Sequence, residues 1–363
     1  MLQDLRATVG GERAEPVQPV RLAGLGTATA SHRVSSRVLA EVLASLWPQL
    51  RGRAERLLED AGSEGRYLSR PVAELRQGLS LSRQRTLYPE LACALAARAA
   101  RAALAEAGRD PRSVGALIVV SCTGFVLPGL DARLVFELGL RPEVVRMPFT
   151  QLGCAGGAAG LARGAEWVRG GSERRALVVA VELPSLTFRP ADRSSDNLLS
   201  ALVFGDGAGA ALLEAGGGGG SLELGRTRGV LVEDSVVDLG YELVDDGFRV
   251  ILSRRLPRLI EGRLAPIVAD FLDGVAVDSL EVLAVHPGGG AVLEAVRRGL
   301  GAVPGQLDAS WAAFRSVGNT SSAALFFVLA EVAGRRPARG SRGLALAFGP
   351  GLAIELLELA WPT

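Results

Sequence analysis

The sequence contains no lysine, so all 40 of its positively charged side chains are arginine. This absence excludes chemistry that forms a Schiff base on a lysine amine. Cysteine and histidine are also scarce, with three and two copies. Three widely spaced cysteines do not form a disulfide framework, and neither a CxxC nor an HxxxH spacing occurs. We therefore predict neither a zinc site nor any other metal site.

The chain also lacks any run of about 18 apolar residues, which a membrane-spanning helix requires. A formal net charge of +1 argues against nucleic acid as the main partner. The N-terminal region carries Asp4, Glu12 and Glu15 and has no apolar segment typical of a secretion signal. We therefore predict a cytoplasmic protein with no membrane span.

Three segments occur twice in this chain of 363 residues, and their order is the same in both copies. Three ordered matches indicate a duplicated α/β domain. We predict a first half at 1–220 and a second half at 221–363, joined through the glycine run 216–220. The matched pairs, at offsets of 165, 165 and 144 residues, are LIVVSCTG (117–124) with VLAVHPGG (282–289), FTQLGCAGGAAGL (149–161) with FRSVGNTSSAALF (314–326), and FGDGAGAALLE (204–214) with FGPGLAIELLE (348–358).

Short branched apolar runs such as ALIVVS, ALVVAVE and EVLAV predict strands buried on both faces. They alternate with helical stretches at 90–108 and 158–170, which indicates mixed or parallel sheets with helices on both faces. Two such halves packed together predict a five-layered α/β/α/β/α sandwich. In both halves the second repeated block is predicted to be a strand-like run, a glycine, one polar residue and then a helix.

The polar residue of that block is Cys154 in the first half and Asn319 in the second. Gly153 and Gly318 permit the tight turn that precedes each of them. A thiol at a helix N-terminus feels the positive end of the helix dipole, so we expect a lowered pKa for Cys154. Cys93 lies within an amphipathic helical stretch and is expected to be a structural core residue.

His286 follows the strand EVLAV and precedes Pro-Gly-Gly-Gly, which predicts an imidazole at the carboxyl edge of a sheet, where ligands bind. The first half has Ser121 at the matching position, whereas His32 has no such context and is expected on the surface. Cys154, His286 and Asn319 together suit acyl-thioester chemistry. The thiolate accepts an acyl group, and the imidazole and amide stabilise the enolate that forms on decarboxylation.

At these residues the sequence resembles the type III polyketide synthases, the chalcone and stilbene synthase-like family of the thiolase-fold superfamily. The resemblance runs from about residue 20 to the C-terminus. It implies a duplicated thiolase fold, Cys154 as the acyl-carrying nucleophile, and His286 and Asn319 as the residues that promote decarboxylation of malonyl-CoA. It also implies an acyltransferase that accepts CoA thioesters directly, needs no cofactor and forms a homodimer. The motifs are QLGCAGG (151–157), FGDGA (204–208), HPGGG (286–290), GNTSSA (318–323) and AFGPGL (347–352).

The same resemblance implies further site residues. Phe204 matches the aromatic gatekeeper between the CoA tunnel and the cavity, and Asp60 replaces a basic CoA-binding position of the family. Arg53, Arg56, Gly288 and Gly289 match the CoA-binding positions. The substrate cavity is implied to contain Cys122, Thr123, Thr187, Tyr241, Val250 and Ser321, and the loop that shapes cyclisation to contain Gly349, Pro350 and Gly351.

The cavity residues leave the product open. Val250 replaces a second aromatic gatekeeper and widens the entrance, whereas Tyr241 replaces a glycine and shortens the pocket. The local sequence resembles bacterial enzymes that extend medium or long-chain fatty acyl starters to alkylpyrones or alkylresorcinols, which is our first prediction. Cys122 with Tyr241 also resembles bacterial synthases that make tetrahydroxynaphthalene from malonyl-CoA alone.

Two other functions are alternatives. A ketoacyl synthase III, which initiates fatty-acid synthesis, shares the fold, but the motifs HPGGG and AFGPGL argue against it. A non-catalytic partner subunit is the second alternative. Retention of Cys154, His286 and Asn319 argues against that one.

Overall fold

The computed structural model describes residues 18–52, 62–171, 174–217 and 221–363. Within these residues the chain forms thirteen strands and nine helices, joined by short 3₁₀ turns and loops. The strands are β1 (Val20–Thr29), β2 (His32–Ser35), β3 (Gly65–Leu68), β4 (Ala116–Val120), β5 (Val145–Phe149), β6 (Arg175–Glu182), β7 (Gly207–Ala215), β8 (Glu223–Leu231), β9 (Leu239–Val244), β10 (Gly247–Leu252), β11 (Val282–Val285), β12 (Arg342–Gly349) and β13 (Ala353–Ala360). The helices are α1 (Ser36–Leu46), α2 (Leu81–Ala107), α3 (Leu130–Glu137), α4 (Gly156–Arg169), α5 (Ser195–Val203), α6 (Leu256–Leu272), α7 (Gly290–Leu300), α8 (Asp308–Val317) and α9 (Ala324–Arg335).

Nine strands form one mixed sheet in the order β11-β12-β13-β8-β1-β7-β6-β4-β5. The pairs β4–β5, β4–β6 and β11–β12 are parallel, and the other neighbours are antiparallel. The two halves meet edge to edge between β1 and β8, where Val20 pairs with Leu224 and Arg21 with Glu223. Strands β2–β3 and β9–β10 form two separate two-stranded sheets.

Alternate residues of the buried strands face different apolar cores. In β4, Ile118 packs in a central core with residues of α4 and α9, whereas Leu117 and Val119 pack against α2. In β11, Ala284 faces the central core and Leu283 faces the core that contains α6 and α7. The layers are therefore α2, the first half of the sheet, α4 with α9, the second half of the sheet, and α6 with α7. This arrangement confirms the predicted five-layered α/β/α/β/α sandwich.

Helix α2 lies directly on β1. A Cβ atom at Gly24 would lie 2.1 Å from the carbonyl oxygen of Ala103, and one at Gly26 would lie 2.1 Å from that of Ala99. The helix extends the predicted stretch 90–108 toward the N-terminus because Ser80 accepts a hydrogen bond from the backbone N–H of Arg83 and caps it. None of the helices in the described ranges is both long and apolar enough to cross a membrane.

The second half departs from the predicted repeat before Gly318. We expected a strand-like run in both copies, but only the first copy has one, β5, and the matching segment is helix α8. The prediction was wrong here because Ala309, Ala313 and Val317 recur every four residues and together bury one helix face. The predicted joint between the halves includes residues 218–220, which lie outside the described residues.

Candidate active site

The two copies of the repeated block bring Cys154 and Asn319 to the starts of two neighbouring helices. The 3₁₀ turn Gly153–Ala155 leads into α4, and the turn Ser321–Ala323 leads into α9. These helix starts are in backbone contact, since a Cβ atom at Gly157 would lie 2.1 Å from the carbonyl oxygen of Ser322. The thiol of Cys154 donates a hydrogen bond to Ser321 Oγ at 3.4 Å.

Asn319 has a fixed side-chain orientation. Its Nδ2 donates to the carbonyl oxygen of Gly288 at 3.2 Å, and its Oδ1 accepts from the backbone N–H of Ser321 at 2.8 Å. Its backbone forms an isolated parallel bridge with Phe204. Because an amide nitrogen has two donors, the second N–H of Nδ2 remains for a ligand.

His286 follows β11 and is 1% exposed. Its backbone N–H donates to the carbonyl oxygen of Leu346 at 2.7 Å, which fixes the position of the residue. The side chain lines a cavity of about 310 Å³ together with Cys154, so thiol and imidazole face the same space. The Nδ1 atom has no hydrogen-bond partner among the described residues.

Burial dominates the titration of both groups. It raises the pKa of Cys154 to about 12 and lowers the pKa of His286 to about 3. Hydrogen bonds from Ser321 and Asn319 lower the pKa of the thiol, but by less than burial raises it. The expected lowering of the Cys154 pKa is therefore wrong, because loss of solvation outweighs the effect of the helix N-terminus. Thiol and imidazole are both neutral at neutral pH.

Glu182, which lies outside the sequence motifs, organises the floor of the site beside Cys122 and Cys154. Its fully buried carboxylate accepts hydrogen bonds from Thr123 Oγ1 at 2.8 Å, from Ser322 Oγ at 2.5 Å and from the backbone N–H of Cys122 at 3.1 Å. Its charge raises the pKa of Cys154. The signal was present, because an acidic residue at the carboxyl end of the apolar run ALVVAVE lies where ligands approach α/β sheets.

Cys122 and Ser321 lie next to the nucleophile. The sulfur of Cys122 is 3.8 Å from Ser321 Oγ, so this hydroxyl is within hydrogen-bonding distance of both thiols. The counterpart of His286, Ser121, instead donates to the carbonyl oxygen of Val181 and accepts from the hydroxyl of Tyr88. The pseudo-symmetric positions have therefore diverged from each other.

A second, smaller cavity of about 30 Å³ is lined by Phe204, Thr187, Tyr241 and Val250, four of the predicted cavity residues. Tyr241 pairs with Val250 across the β9–β10 hairpin, and its ring packs edge-on against Phe248. Burial raises the pKa of Tyr241, and charge on Cys122 and Cys154 raises it further.

The remaining predicted residues fall into three groups. Gly288 and Gly289 line the cavity of about 310 Å³. The loop at 349–351 packs on the turn that carries the nucleophile, since a Cβ atom at Gly153 would lie 2.5 Å from Pro350 Cδ and one at Gly349 would lie 2.6 Å from Ala155 Cβ. Arg53 and Arg56 lie outside the described residues.

Two sequence-level expectations concern residues away from this site. His32 is exposed at the start of β2, and Cys93 is partly buried in α2 and packs against the core that contains this helix.

No group of three histidine, cysteine or acidic side chains in the described part of the chain comes together as a metal site would require.

Comparison with known proteins identifies the family. The model of the N-terminal domain of chalcone and stilbene synthases matches residues 70–217, and that of the C-terminal domain matches 225–360. A 1,3,6,8-tetrahydroxynaphthalene synthase of Streptomyces peucetius is 35% identical over 98% of this chain and 97% of its own length. An alpha-pyrone synthesis polyketide synthase-like protein, Pks18, of Mycobacterium tuberculosis is 30% identical over 96% and 94%.

The crystal structure of 1,3,6,8-tetrahydroxynaphthalene synthase from Streptomyces coelicolor superimposes with a TM-score of 0.89 at 28% identity, covering 94% of this chain and 99% of that one. That enzyme is a bacterial type III polyketide synthase. Members of this family are acyltransferases that condense CoA thioesters without a cofactor. The chain belongs to the chalcone and stilbene synthase family and is a type III polyketide synthase.

Proposed function

We propose that Cys154 carries the growing acyl chain and that His286 and Asn319 promote decarboxylation of malonyl-CoA. One observation supports these roles above all. The thiol and a fully buried imidazole line the same cavity. Asn319 is held by two hydrogen bonds, one of them to Gly288, which also lines that cavity. Thiol, imidazole and oriented amide are the groups that acyl transfer and enolate stabilisation require.

The reaction begins when the thiol proton of Cys154 passes to His286 and the thiolate attacks the thioester carbonyl. The C–S bond to CoA breaks, and the CoA thiolate leaves with that proton. Malonyl-CoA then loses CO₂, and the enolate oxygen accepts hydrogen bonds from His286 and from the free N–H of Asn319. The enolate carbon attacks the acyl carbon on Cys154, the C–S bond breaks, and a β-ketoacyl-CoA longer by two carbons results.

Intact-mass analysis after incubation with an acyl-CoA tests the role of the nucleophile. We expect one acyl adduct on the wild type and none on Cys154→Ala, while Cys122→Ala, which removes the neighbouring thiol, keeps the adduct. An adduct on Cys154→Ala would contradict the assignment. A wild type that accepts no acyl group from any CoA thioester would contradict the catalytic function itself.

For the starter, we propose malonyl-CoA alone, the alternative suggested by Cys122 with Tyr241. The space beside Phe204 and Tyr241 measures about 30 Å³, which is small for a long alkyl chain. The tetrahydroxynaphthalene synthase relative at 35% identity supports the same proposal.

The fatty acyl starter predicted first from the sequence stays a second candidate. Val250 and the apolar walls of the cavity of about 310 Å³ favour it, as does the alpha-pyrone relative. Mass spectrometry of the products formed from malonyl-CoA alone and from a ladder of acyl-CoA starters separates the two. A product from malonyl-CoA alone supports the first candidate, whereas products only with long acyl-CoAs support an alkylpyrone or alkylresorcinol synthase.

We also propose that the protein is a homodimer that works in the cytoplasm. Within the described residues, strand β5 ends the sheet with an unpaired edge, and Val145 on it is exposed. The nearby loop exposes Phe125 to 77% and Leu127 to 85%. A second copy that covers this edge and loop would bury both kinds of surface, which monomers seldom leave open.

A further inference from the structure

Arg254 lies at the cavity that contains the nucleophile. It is exposed, whereas His286 in the same cavity is buried, so Arg254 marks the solvent side of this space. Among the residues that line the cavity, all within the described ranges, it is the one arginine. The walls between are mostly apolar, formed by Leu199, Val203, Leu239, Leu252, Leu256, Pro257, Ile260 and Val292.

Hydrogen bonds fix the backbone on both sides of Arg254, whereas no described residue binds its guanidinium. The N–H of Ser253 donates to the carbonyl oxygen of Asp238 at 2.8 Å, and the N–H of Leu256 donates to that of Ser253 at 3.1 Å. The next arginine, Arg255, already pairs with the buried carboxylate of Asp238 at 3.7 Å. Arg254 itself has no ion pair or side-chain hydrogen bond to any described residue. A fixed backbone thus presents an uncompensated positive charge at the cavity.

We infer that Arg254 binds a phosphate group of the CoA thioester and makes the enzyme select substrates that carry it. The inference rests on the proposed function, because it takes the cavity of about 310 Å³ as the path of the thioester to Cys154. A guanidinium donates paired hydrogen bonds to phosphate oxygens, and the apolar walls accept the uncharged arm between phosphate and thioester. Arg254 belongs to the second half of the chain, whereas Arg53 and Arg56, the CoA-binding residues predicted from the sequence, belong to the first half.

Steady-state kinetics of Arg254→Gln with two thioesters tests the inference. One substrate is malonyl-CoA, and the other is the malonyl thioester of N-acetylcysteamine, which keeps the reacting group and lacks the phosphates. Arg263→Gln is the matched control, since Arg263 lies on α6, is exposed and does not line the cavity. Calorimetric binding of free CoA to both variants gives a measurement independent of condensation.

We expect Arg254→Gln to raise KM for malonyl-CoA about threefold to tenfold with little change in kcat, as for one lost charge-assisted contact at a cavity rim. Arg254→Gln should leave KM for the N-acetylcysteamine thioester unchanged, and Arg263→Gln should leave KM for both thioesters unchanged. Free CoA should bind more weakly to Arg254→Gln but not to Arg263→Gln. Equal loss with both thioesters, or no loss of CoA binding, would overturn the inference while the condensing function stands. If the wild type condenses neither thioester, the proposed function fails, and only weaker CoA binding by Arg254→Gln would still support the phosphate contact.

Discussion

At the scale of single residues, Asn319 links the catalytic cavity to the backbone of the neighbouring glycine loop. Its side-chain oxygen is taken by Ser321 and one of its amide hydrogens by Gly288, so one donor is available to substrate. The amide also lowers the pKa of the Cys154 thiol, but the proton acceptor in the acylation step is His286 rather than Asn319. Acylation and decarboxylation are therefore separable by substitution.

We predict that Asn319→Ala is still acylated on Cys154 but decarboxylates malonyl-CoA about 10²–10³-fold more slowly, the usual effect of removing one oxyanion donor. Intact mass measures the first step, and release of labelled CO₂ the second. His286→Ala should slow decarboxylation in the same way and should also slow acylation, because His286 accepts the thiol proton in the first step. Normal extension by either variant would contradict the mechanism.

The hydroxyl of Ser321 controls the reactivity of the nucleophile. It accepts a hydrogen bond from the thiol, and as a rotor it donates to the thiolate, which lowers the Cys154 pKa. We predict that Ser321→Ala raises this pKa further, so that less thiolate is present at any pH below it. Alkylation of Cys154 by iodoacetamide should slow about threefold to tenfold, with the pH profile displaced to higher pH.

Peptide mass mapping separates this effect from general changes. Cys93, in helix α2 and away from the cavity, is an internal control whose alkylation rate should not change. A Cys154 rate that is the same in wild type and Ser321→Ala at every pH would show that the hydroxyl does not stabilise the thiolate.

The ring of Tyr241 forms one wall of the cavity of about 30 Å³ beside Phe204, and this wall limits the length of the polyketide in the proposed reaction. We predict that Tyr241→Gly lengthens the products, because removal of the ring joins the space of about 30 Å³ to the space that the ring itself fills. Tyr241→Phe keeps the ring and should keep the chain length. Liquid chromatography with mass spectrometry of the products measures this, and an unchanged product distribution in Tyr241→Gly would mean that another wall limits the cavity.

At the scale of elements, the internal repeat predicted the most. It paired Cys154 with Asn319, and both residues lie at the start of a helix: Cys154 within the 3₁₀ turn that leads into α4, and Asn319 just before the turn that leads into α9. The pKa of Cys154, the hydrogen-bond partners of Glu182 and the free charge of Arg254 did not follow from the sequence. Each depends on which distant segments cover or leave open a side chain, and the spacing of residues along one segment does not record this.

The contact between helices α4 and α9 depends on the absence of a side chain at Gly157. We predict that Gly157→Ala pushes the two helix starts apart, lowers the free energy of unfolding by about 1–3 kcal/mol and slows acylation. Gly262→Ala, on the exposed side of α6 where a Cβ atom meets nothing within 4 Å, is the control. It should leave activity unchanged and raise stability by up to about 1 kcal/mol. Equal effects of both substitutions in denaturant unfolding would refute the close-contact explanation.

At the scale of the whole molecule, the nine-stranded sheet has two ends that differ. One end, β11, holds the buried strand that leads to His286, and each of its four residues is buried. The other end, β5, is mostly exposed along its length. A sheet that ends in an exposed edge next to exposed aromatic and aliphatic side chains is open to pairing with another copy.

We predict that Leu127→Glu converts a dimer into monomers at micromolar concentration, because a carboxylate at this position would have to lose its water in the interface without a partner. Analytical ultracentrifugation of wild type and variant measures the change in mass. Val303→Glu, an equally drastic change at an exposed site of the second half, is the control and should stay dimeric. A monomeric wild type would refute the homodimer, and a dimeric Leu127→Glu would place the interface elsewhere on the surface.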